Sequence, residues 1–509
     1  MLRPASEPGE SALQHLYTAS ECRELDRVAI EGGVSGFELM QRAGQAVFDE
    51  LLDGWPRLRA LSICCGSGNN AGDGYIVAGL AIELGLGVQV LQIGEAAELG
   101  GDAGRARDWA LSKGVQIERI EGALISGDVI VDALLGTGLS GSLRKPYADL
   151  VERINGAGQP VVAVDIPSGV LADTGSVAGT AVRAERTVTF IGRKIGLHTG
   201  AGPALAGAVK FAGLGTYREV HESVQGLDWL TLAGVLDRYP LPVRDARAYK
   251  QALGHIVVIG GDESMGGAPM MAAEAALRTG AGMVSVITRA THKNAILSRR
   301  PELMVVDADD ETLRDEVLAK ASTLIAGPGL GRRRWGEELL AIAINERKPM
   351  VLDADGLFLL AAADLEVEAP VVITPHAGEA AALLGCTSQE VQQDRIAACR
   401  SLAKRVSGVA ILKGAGTVLG ASTLNDPEAR CLGVCAHGNP GMATAGMGDV
   451  LAGVIGGLLA QGMDVESAAL VGTCLHGRAA DKAAERLGQR SLLATDLYPD
   501  LVTLLKEAP

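Results

Sequence analysis

Short, uniformly apolar runs that end in glycine-rich polar turns recur along this chain, separated by stretches of helical period. A run with no polar side has to be covered on both faces, which a parallel sheet between two layers of helices provides. The first set of runs is residues 60–65, 88–93, 129–135, 161–166 and 186–191, with helices expected over 75–84, 102–111 and 147–154. The pattern restarts at 255–261, followed by a helix over 269–277 and a strand over 283–287. Two such alternations in 509 residues exceed what one hydrophobic core organises. They predict two α/β domains: a doubly wound α/β/α sandwich over 1–227, a crossover linker over 228–240, and a second α/β domain over 241–509. Thr18-Ala-Ser-Glu21 is a capping-box pattern and opens a helical stretch expected to reach about residue 52.

In the second half, Gly446-Met-Gly-Asp449 precedes the apolar run 450–460. Glycines at 446 and 448 let a ligand approach the backbone, and the helix behind them points unpaired N–H groups at an anion. Asp449 in that first turn would repel a bound phosphate unless it had a task, such as taking a proton from a hydroxyl that attacks a phosphoryl group. The plainer alternative is a capping aspartate in an ordinary turn. A second run, 409–412, ends in Lys413-Gly414-Ala415-Gly416-Thr417, which brings a cation, two flexible residues and a hydroxyl to one strand end and suits nucleotide phosphates. A third, 371–373, delivers His376 and Glu379 to another strand end, where α/β folds bind ligands. Singly, these are a structural histidine and a solvated acid. Three polar strand ends in one domain favour a site.

The first half has its own glycine loop, Cys65-Gly-Ser-Gly-Asn-Asn-Ala-Gly-Asp-Gly74. Its spacing departs from the dinucleotide fingerprint, because Gly66 and Gly68 are followed by Gly72, and Asn69, Asn70 and Asp73 crowd it with oxygens. Two further strand ends add Asp132 with the loop Gly136-Thr137-Gly138-Leu139-Ser140-Gly141, and Asp165 with Ser168.

These motifs resemble known families. Gly446-Met-Gly-Asp449 is similar to the catalytic segment of the ribokinase-like fold, and His376-Ala-Gly-Glu379 stands where that fold carries Asn-x-x-Glu. Together with Gly327-Pro-Gly-Leu-Gly331, Lys413 to Thr417 and Gly254-His-Ile-Val-Val-Ile-Gly-Gly-Asp262, they resemble the ADP-dependent NAD(P)H-hydrate dehydratases, whose usual proline is Ala377 here. The first half resembles the Rossmann-like NAD(P)H-hydrate epimerase domain, with Asn69-Asn-Ala-Gly-Asp73 for the usual Asn-Asn-Gly-Gly-Asp. A positive φ at that position would strain Ala71 by about 1–2 kcal/mol.

The resemblance implies metabolite repair of hydrated NADH and NADPH (NADHX and NADPHX). The first domain would interconvert the R and S hydrates at C6, and the second would dehydrate the S form with ADP, giving NAD(P)H, AMP and phosphate. It implies a potassium site at Asn70, Asp132 and Ser168, hard oxygen donors suited to an alkali cation. Epimerase hydrate contacts fall on Asn69, Asn70, Ala71, Gly72 and Asp73, on the loop through Ser142, and on Asp165, the candidate for proton transfer. In the dehydratase it implies hydrate contacts at Ala268, Gly329, His376 and Asp449, with Asp449 as the base. Nucleotide contacts fall on Lys413, Gly414, Ala415, Gly416, Thr417 and Gly448, and magnesium binds with ADP, Glu379 lying in its outer shell. A small-molecule kinase that leaves phosphate on its product is the alternative for the second domain, and a non-catalytic binding module for the first.

Lys and Arg number 46 against 61 Asp and Glu, a net charge of −15 with no basic block, so nucleic acid and anionic membranes are not expected as partners. No apolar run reaches membrane-spanning length and residues 1–10 carry no signal-peptide core, so a cytoplasmic location is expected, as is a homo-oligomer. Eight cysteines without paired Cys-x-x-Cys motifs are expected to be reduced and mostly buried.

Overall fold

The computed structural model describes residues 14–120, 123–216, 218–423 and 426–508. The segment read for a signal core and Tyr217 lie outside the described residues. The chain divides into two compact units, His15–Leu227 and a second beginning at Asp228.

In the first unit the apolar runs form β2 (Ala60–Cys65), β3 (Gly87–Gln92), β5 (Val129–Ala133), β6 (Val161–Val164) and β7 (Arg186–Phe190). With β4 (Ile117–Arg119) and β9 (Ala208–Ala212) they make a seven-stranded sheet ordered β4-β3-β2-β5-β6-β7-β9, parallel throughout. The order reverses between β2 and β5, the crevice where doubly wound sheets bind ligands. There Gly66 donates its N–H to the Ala133 carbonyl at 3.0 Å, and a methyl group at 66 would lie 1.8 Å from the Leu134 carbonyl oxygen. Outside that seven-stranded sheet, β1 (Gln14–Tyr17) pairs in parallel with β8 (Arg193–Lys194), with Tyr17 opposite Lys194.

Two helix expectations change. Thr18 does form the capping box, but its helix ends at Glu31 and a new one, Gly36–Gly54, starts behind Ser35. The break is Gly32-Gly33, with Gly33 at φ 101°. The helix expected from residue 75 begins at Asn69, because Gly68 serves as its N-cap and the Asn-Asn-Ala-Gly-Asp segment forms its first turns.

The second unit holds β10 (Leu227–Leu230), β11 (His255–Ile259), β12 (Met283–Thr288), β13 (Met304–Asp307), β14 (Thr323–Ala326), β15 (Met350–Leu352), β16 (Val371–Ile373), β17 (Val409–Leu412), β18 (Val418–Thr423) and β19 (Asp426–Cys435). Their order is β13-β12-β11-β14-β15-β16-β17-β18-β19-β10, parallel from β13 to β17, with antiparallel β17–β18 and β18–β19 pairs. The stretch expected as a crossover, 228–240, holds most of β10 and the helix Leu232–Arg238, and Leu230, Leu232, Val235 and Leu236 join the second unit's core.

The helix Met447–Ala460 is buried from Val450 to Ala460, as an all-round apolar helix must be. Glycines bring it into backbone contact with its neighbours. A methyl group on Gly453 would lie 2.1 Å from the Ala272 carbonyl of the helix Gly267–Thr279, and one on Gly456 would lie 2.5 Å from Ile325 of β14. Among the described residues no helix is long and apolar enough to cross a membrane, and all eight cysteines are free, six of them buried.

Gly453→Ala is expected to lower the stability of the second unit by about 1–3 kcal/mol, since backbone has to move to admit the methyl. Denaturant unfolding of the variant against the parent measures it.

Candidate active sites

The second unit's site is built at the ends of β14 to β17. Lys413 follows β17 directly, its N–H held by the Pro375 carbonyl at 2.8 Å. Its Nζ donates to Asp353 Oδ1 at 2.7 Å and lies 3.8 Å from Glu379 Oε2. Asp353, at the end of β15, is 1 % exposed. Burial would push the Lys413 ammonium down, but Asp353, Glu379 and Asp449 outweigh it and the net direction is up.

Gly446 caps the helix Met447–Ala460 in the left-handed region, φ 91°, which turns the chain so that Asp449 stands in the first turn. A methyl group on Gly448 would lie 3.1 Å from both Asp353 Oδ2 and Lys413 Nζ, so the glycine turn rests on the ion pair. Asp449 is half-buried, and burial, reinforced by Asp353 and Asp355 and partly offset by Lys413, pushes its carboxyl up to about 7. That is a carboxylate poised to exchange a proton near neutrality.

His376 caps the helix Ala377–Leu384. Its Nδ1 accepts from the N–H groups of Gly378 (2.9 Å) and Glu379 (3.3 Å), while Glu379 Oε2 accepts from the His376 N–H at 2.7 Å. With Nδ1 occupied as an acceptor, the half-exposed ring carries its proton on Nε2, 3.2 Å from Glu379 Oε1. Burial raises the Glu379 carboxyl, with Asp353 adding to it and Lys413 opposing. Ala377 occupies the first helical position, where proline and alanine both fit.

The loop Lys413 to Thr417 turns through Gly414 (φ 144°) and Gly416 (φ 63°) and leaves Gly414 and Ala415 exposed. Arg395, 1 % exposed, supports it from below by donating to the carbonyls of Leu412 (2.9 Å) and Lys413 (3.2 Å). On the opposite wall, the Gly329 carbonyl accepts the Asp262 N–H at 2.7 Å, and Ala268 lies beside Gly329, whose added methyl would be 3.3 Å from the Ala268 Cβ. Gly331 donates to Asp355 Oδ2 at 3.0 Å, which ties this wall to the carboxylates around Asp449.

In the first unit, Asp132, fully buried at the end of β5, accepts from the Ser168 N–H (2.8 Å) and hydroxyl (2.7 Å) and from the Leu134 N–H (3.3 Å). Burial, opposed by those donors, leaves its carboxyl raised to about 6. Asn70 lies beside Gly136, and its buried Nδ2 has no hydrogen-bond partner among the described residues. Gly136 to Ser142 is an open loop with only Leu139 turned back onto it, its N–H 3.4 Å from the Gly136 carbonyl. Asp165 follows β6 at φ 68°, and its Oδ1 accepts from Thr189 Oγ1 (3.2 Å), the Phe190 N–H (3.2 Å) and Lys194 Nζ. Asp73 is held well above the usual carboxylate range by burial and by Asp165 and Asp26. Ala71 is fully buried inside the helix Asn69–Glu83 with a negative φ, so the expected strain is absent.

Residues 256–502 match the NAD(P)H-hydrate dehydratase family, and residues 36–196 match the family of YjeF-related protein N-termini. The bifunctional NAD(P)H-hydrate repair enzyme Nnr of Coxiella burnetii is 46% identical over 498 residues, covering 96% of this chain and 99% of its own. The chain belongs to the bifunctional NAD(P)H-hydrate repair enzymes. Those of Vibrio cholerae and Escherichia coli are each 42% identical over 96% of this chain, covering 98% and 93% of their own. A ribokinase-like superfamily protein of Enterococcus faecalis, known from a crystal structure, is 28% identical with a TM-score of 0.50, covering 55% of this chain and 95% of its own. Both catalytic domains of the family, epimerase and dehydratase, are present in order.

Asp353, Arg395 and Lys194 were not among the residues expected from sequence. Asp353 had a usable signal, an apolar run ending in Asp-Ala-Asp. Arg395 had none, lying in a helix whose charged residues look like any solvated face.

Ala71→Gly is expected to destabilise the first unit by about 0.5–1 kcal/mol through backbone entropy in a helix. Denaturant unfolding with no loss, or a gain, would mean that Ala71 is strained after all.

Proposed function

We propose that the second unit removes water from the S hydrate of NAD(P)H at the expense of ADP, and that the first interconverts the R and S forms at C6. The observation that carries the first part is Asp449, a carboxyl raised to about 7 in the opening turn of a helix whose Gly448 abuts the Lys413–Asp353 pair. An anion cradle and a base share one turn, which is what a hydroxyl attacking a phosphoryl group requires.

The hydrate carries a hydroxyl at C6, and hydroxide is a poor leaving group. Asp449 takes the hydroxyl proton as the oxygen attacks the β-phosphoryl group of ADP, releasing AMP. The ring-nitrogen lone pair then expels phosphate, and loss of a proton from C5 restores the double bond. Lys413 to Thr417 and Gly448 hold the nucleotide. His376, Ala268 and Gly329 face the hydrate. Three carboxylates, Asp353, Glu379 and Asp449, surround one ammonium, an excess of negative charge that fits a divalent cation. Magnesium, when bound with ADP, would neutralise phosphate charge, with Glu379 oriented by the His376 N–H in its outer shell.

In the first unit, Asn69 to Asp73, Gly136 to Ser142 and Asp165 bind the hydrate. The hard oxygens of Asp132, Ser168 and Asn70 fit potassium, because a cation would offset the buried Asp132 carboxylate. Potassium, when bound, would brace the loop that follows Asp132.

With ADP and magnesium, return of the nicotinamide absorbance is expected to consume both hydrate epimers completely, with AMP and free phosphate as products. Recovery stopping at one epimer would remove the epimerase assignment. A product that kept its phosphate would favour a kinase.

Because the base acts ionised and its carboxyl sits near 7, the rate on S hydrate is expected to rise with pH and reach half its plateau near 7. Asp449→Asn is expected to lower that rate by about 10²- to 10⁴-fold and remove the limb, while R to S conversion survives. Unchanged dehydration would reduce Asp449 to a helix cap.

We further propose that the two units are independent catalysts. Chains cut between 227 and 228 and mixed are expected to restore complete repair, measured by the same absorbance. Aggregation of either piece would show that they share a core.

A further inference from the structure

Lys194 lies outside every glycine loop of the first unit, yet it is 2 % exposed and its ammonium points into the Asp165 site. Its Nζ donates to Asp165 Oδ1 and, at 2.9 Å, to the Phe190 carbonyl. An ammonium taken out of water is costly unless it is paired and hydrogen-bonded. Its partner is no ordinary aspartate. Asp165 is a non-glycine residue at φ 68°, held there by its N–H on the Val188 carbonyl at 2.8 Å, a conformation that concentrates at functional sites. Among the described residues the donors on its side chain, from Thr189, Phe190 and Lys194, all fall on Oδ1, which leaves Oδ2 for another partner.

We propose that Lys194 is a positioning residue of the epimerase site, pinning Asp165 by one oxygen so that the other takes the proton of the C6 hydroxyl. This rests on reading the first unit as the epimerase. C6 bears both a hydroxyl and the ring nitrogen. Removing the hydroxyl proton lets the oxygen form a carbonyl as the C6–N1 bond breaks, its electron pair going to N1, which accepts a proton. The open aldehyde turns its other face, N1 attacks it and gives its proton back, and the oxygen recovers the proton held by Asp165. The bonds formed and broken balance, with no oxidant or reductant.

The proton for N1 is taken from solvent water and returned to it. The titratable groups facing Lys194 are Asp165, Cys22 and Asp26, and the one it is hydrogen-bonded to among the described residues is Asp165. Cys22, raised to about 12 by burial, stays a thiol and takes no part.

The test uses the full-length protein with ADP and magnesium, each epimer supplied separately, over a range of hydrate concentrations. Lys194→Met is expected to leave S-hydrate consumption unchanged and to slow R-hydrate consumption by about 10²-fold or more. The loss should fall on kcat, with KM for the R hydrate within about threefold of the parent's, because Lys194 holds Asp165 and does not touch the hydrate. Lys194→Arg should recover the R rate to within about tenfold. R-hydrate consumption at the parent rate in the Met variant, or a loss carried mainly by KM, overturns the proposal. If the Met variant fails to fold, the Arg variant decides: a small loss in kcat supports the proposal, and a loss as large as that of Asp165→Asn overturns it. A parent enzyme that never consumes R hydrate would instead remove the epimerase reading.

Discussion

The Lys413–Asp353 ion pair is the fixed point of the second unit. An ammonium partly withdrawn from solvent has to be met by a carboxylate, and the one that meets it is nearly inaccessible to solvent. The surrounding pieces are shaped by that pair. A methyl group at position 448 would crowd the pair, because both charged atoms lie 3.1 Å from where one would begin. The helix behind it therefore starts tight against the pair, and Asp449, one residue on, enters the field of Asp353 and Asp355. Glu379 is drawn in from β16 by the same ammonium while its other bonds cap its own helix.

The first unit reaches a comparable arrangement from a different direction. Its ammonium comes from a two-residue strand and its carboxylate from a residue forced into the left-handed region, with the glycine loops of β2 and β5 nearby in the sheet order. In both units the carboxylates outnumber the ammonium that holds them. Such clusters are completed by protons or cations, which fits sites whose chemistry moves protons beside phosphates.

The sheets were legible because strands buried on both faces must be apolar throughout, and their ends because glycines and charged residues follow at once. The catalytic turn at 446–449 and the loop at 413–417 fell out of that rule. Asn69 to Asp73 was misread as loop because asparagine, glycine and aspartate favour turns locally, whereas burial against the sheet made it the start of a helix. The helical period across 18–52 hid the Gly32-Gly33 break, which needs the φ of Gly33 to be seen. The polar look of 228–240 masked the few leucines and a valine that enter the core. Lys194 and Arg395 were invisible for a common reason: a buried cation has the same sequence signature as an exposed one until its partners, distant in the chain, are known.

The glycine contacts along Met447–Ala460 have a stereochemical consequence. With Gly453 pressed on the Ala272 carbonyl and Gly456 on Ile325, this helix has almost no freedom to slide or roll, and Asp449 is carried on its rigid end. A base that cannot follow its target reads one handedness. An alcohol on the opposite face of the nicotinamide ring would lie out of its reach, and the helix has no slack with which to meet it. Tolerance for the mirror configuration has to be supplied by a second catalyst, which is a mechanical reason for one chain to carry both.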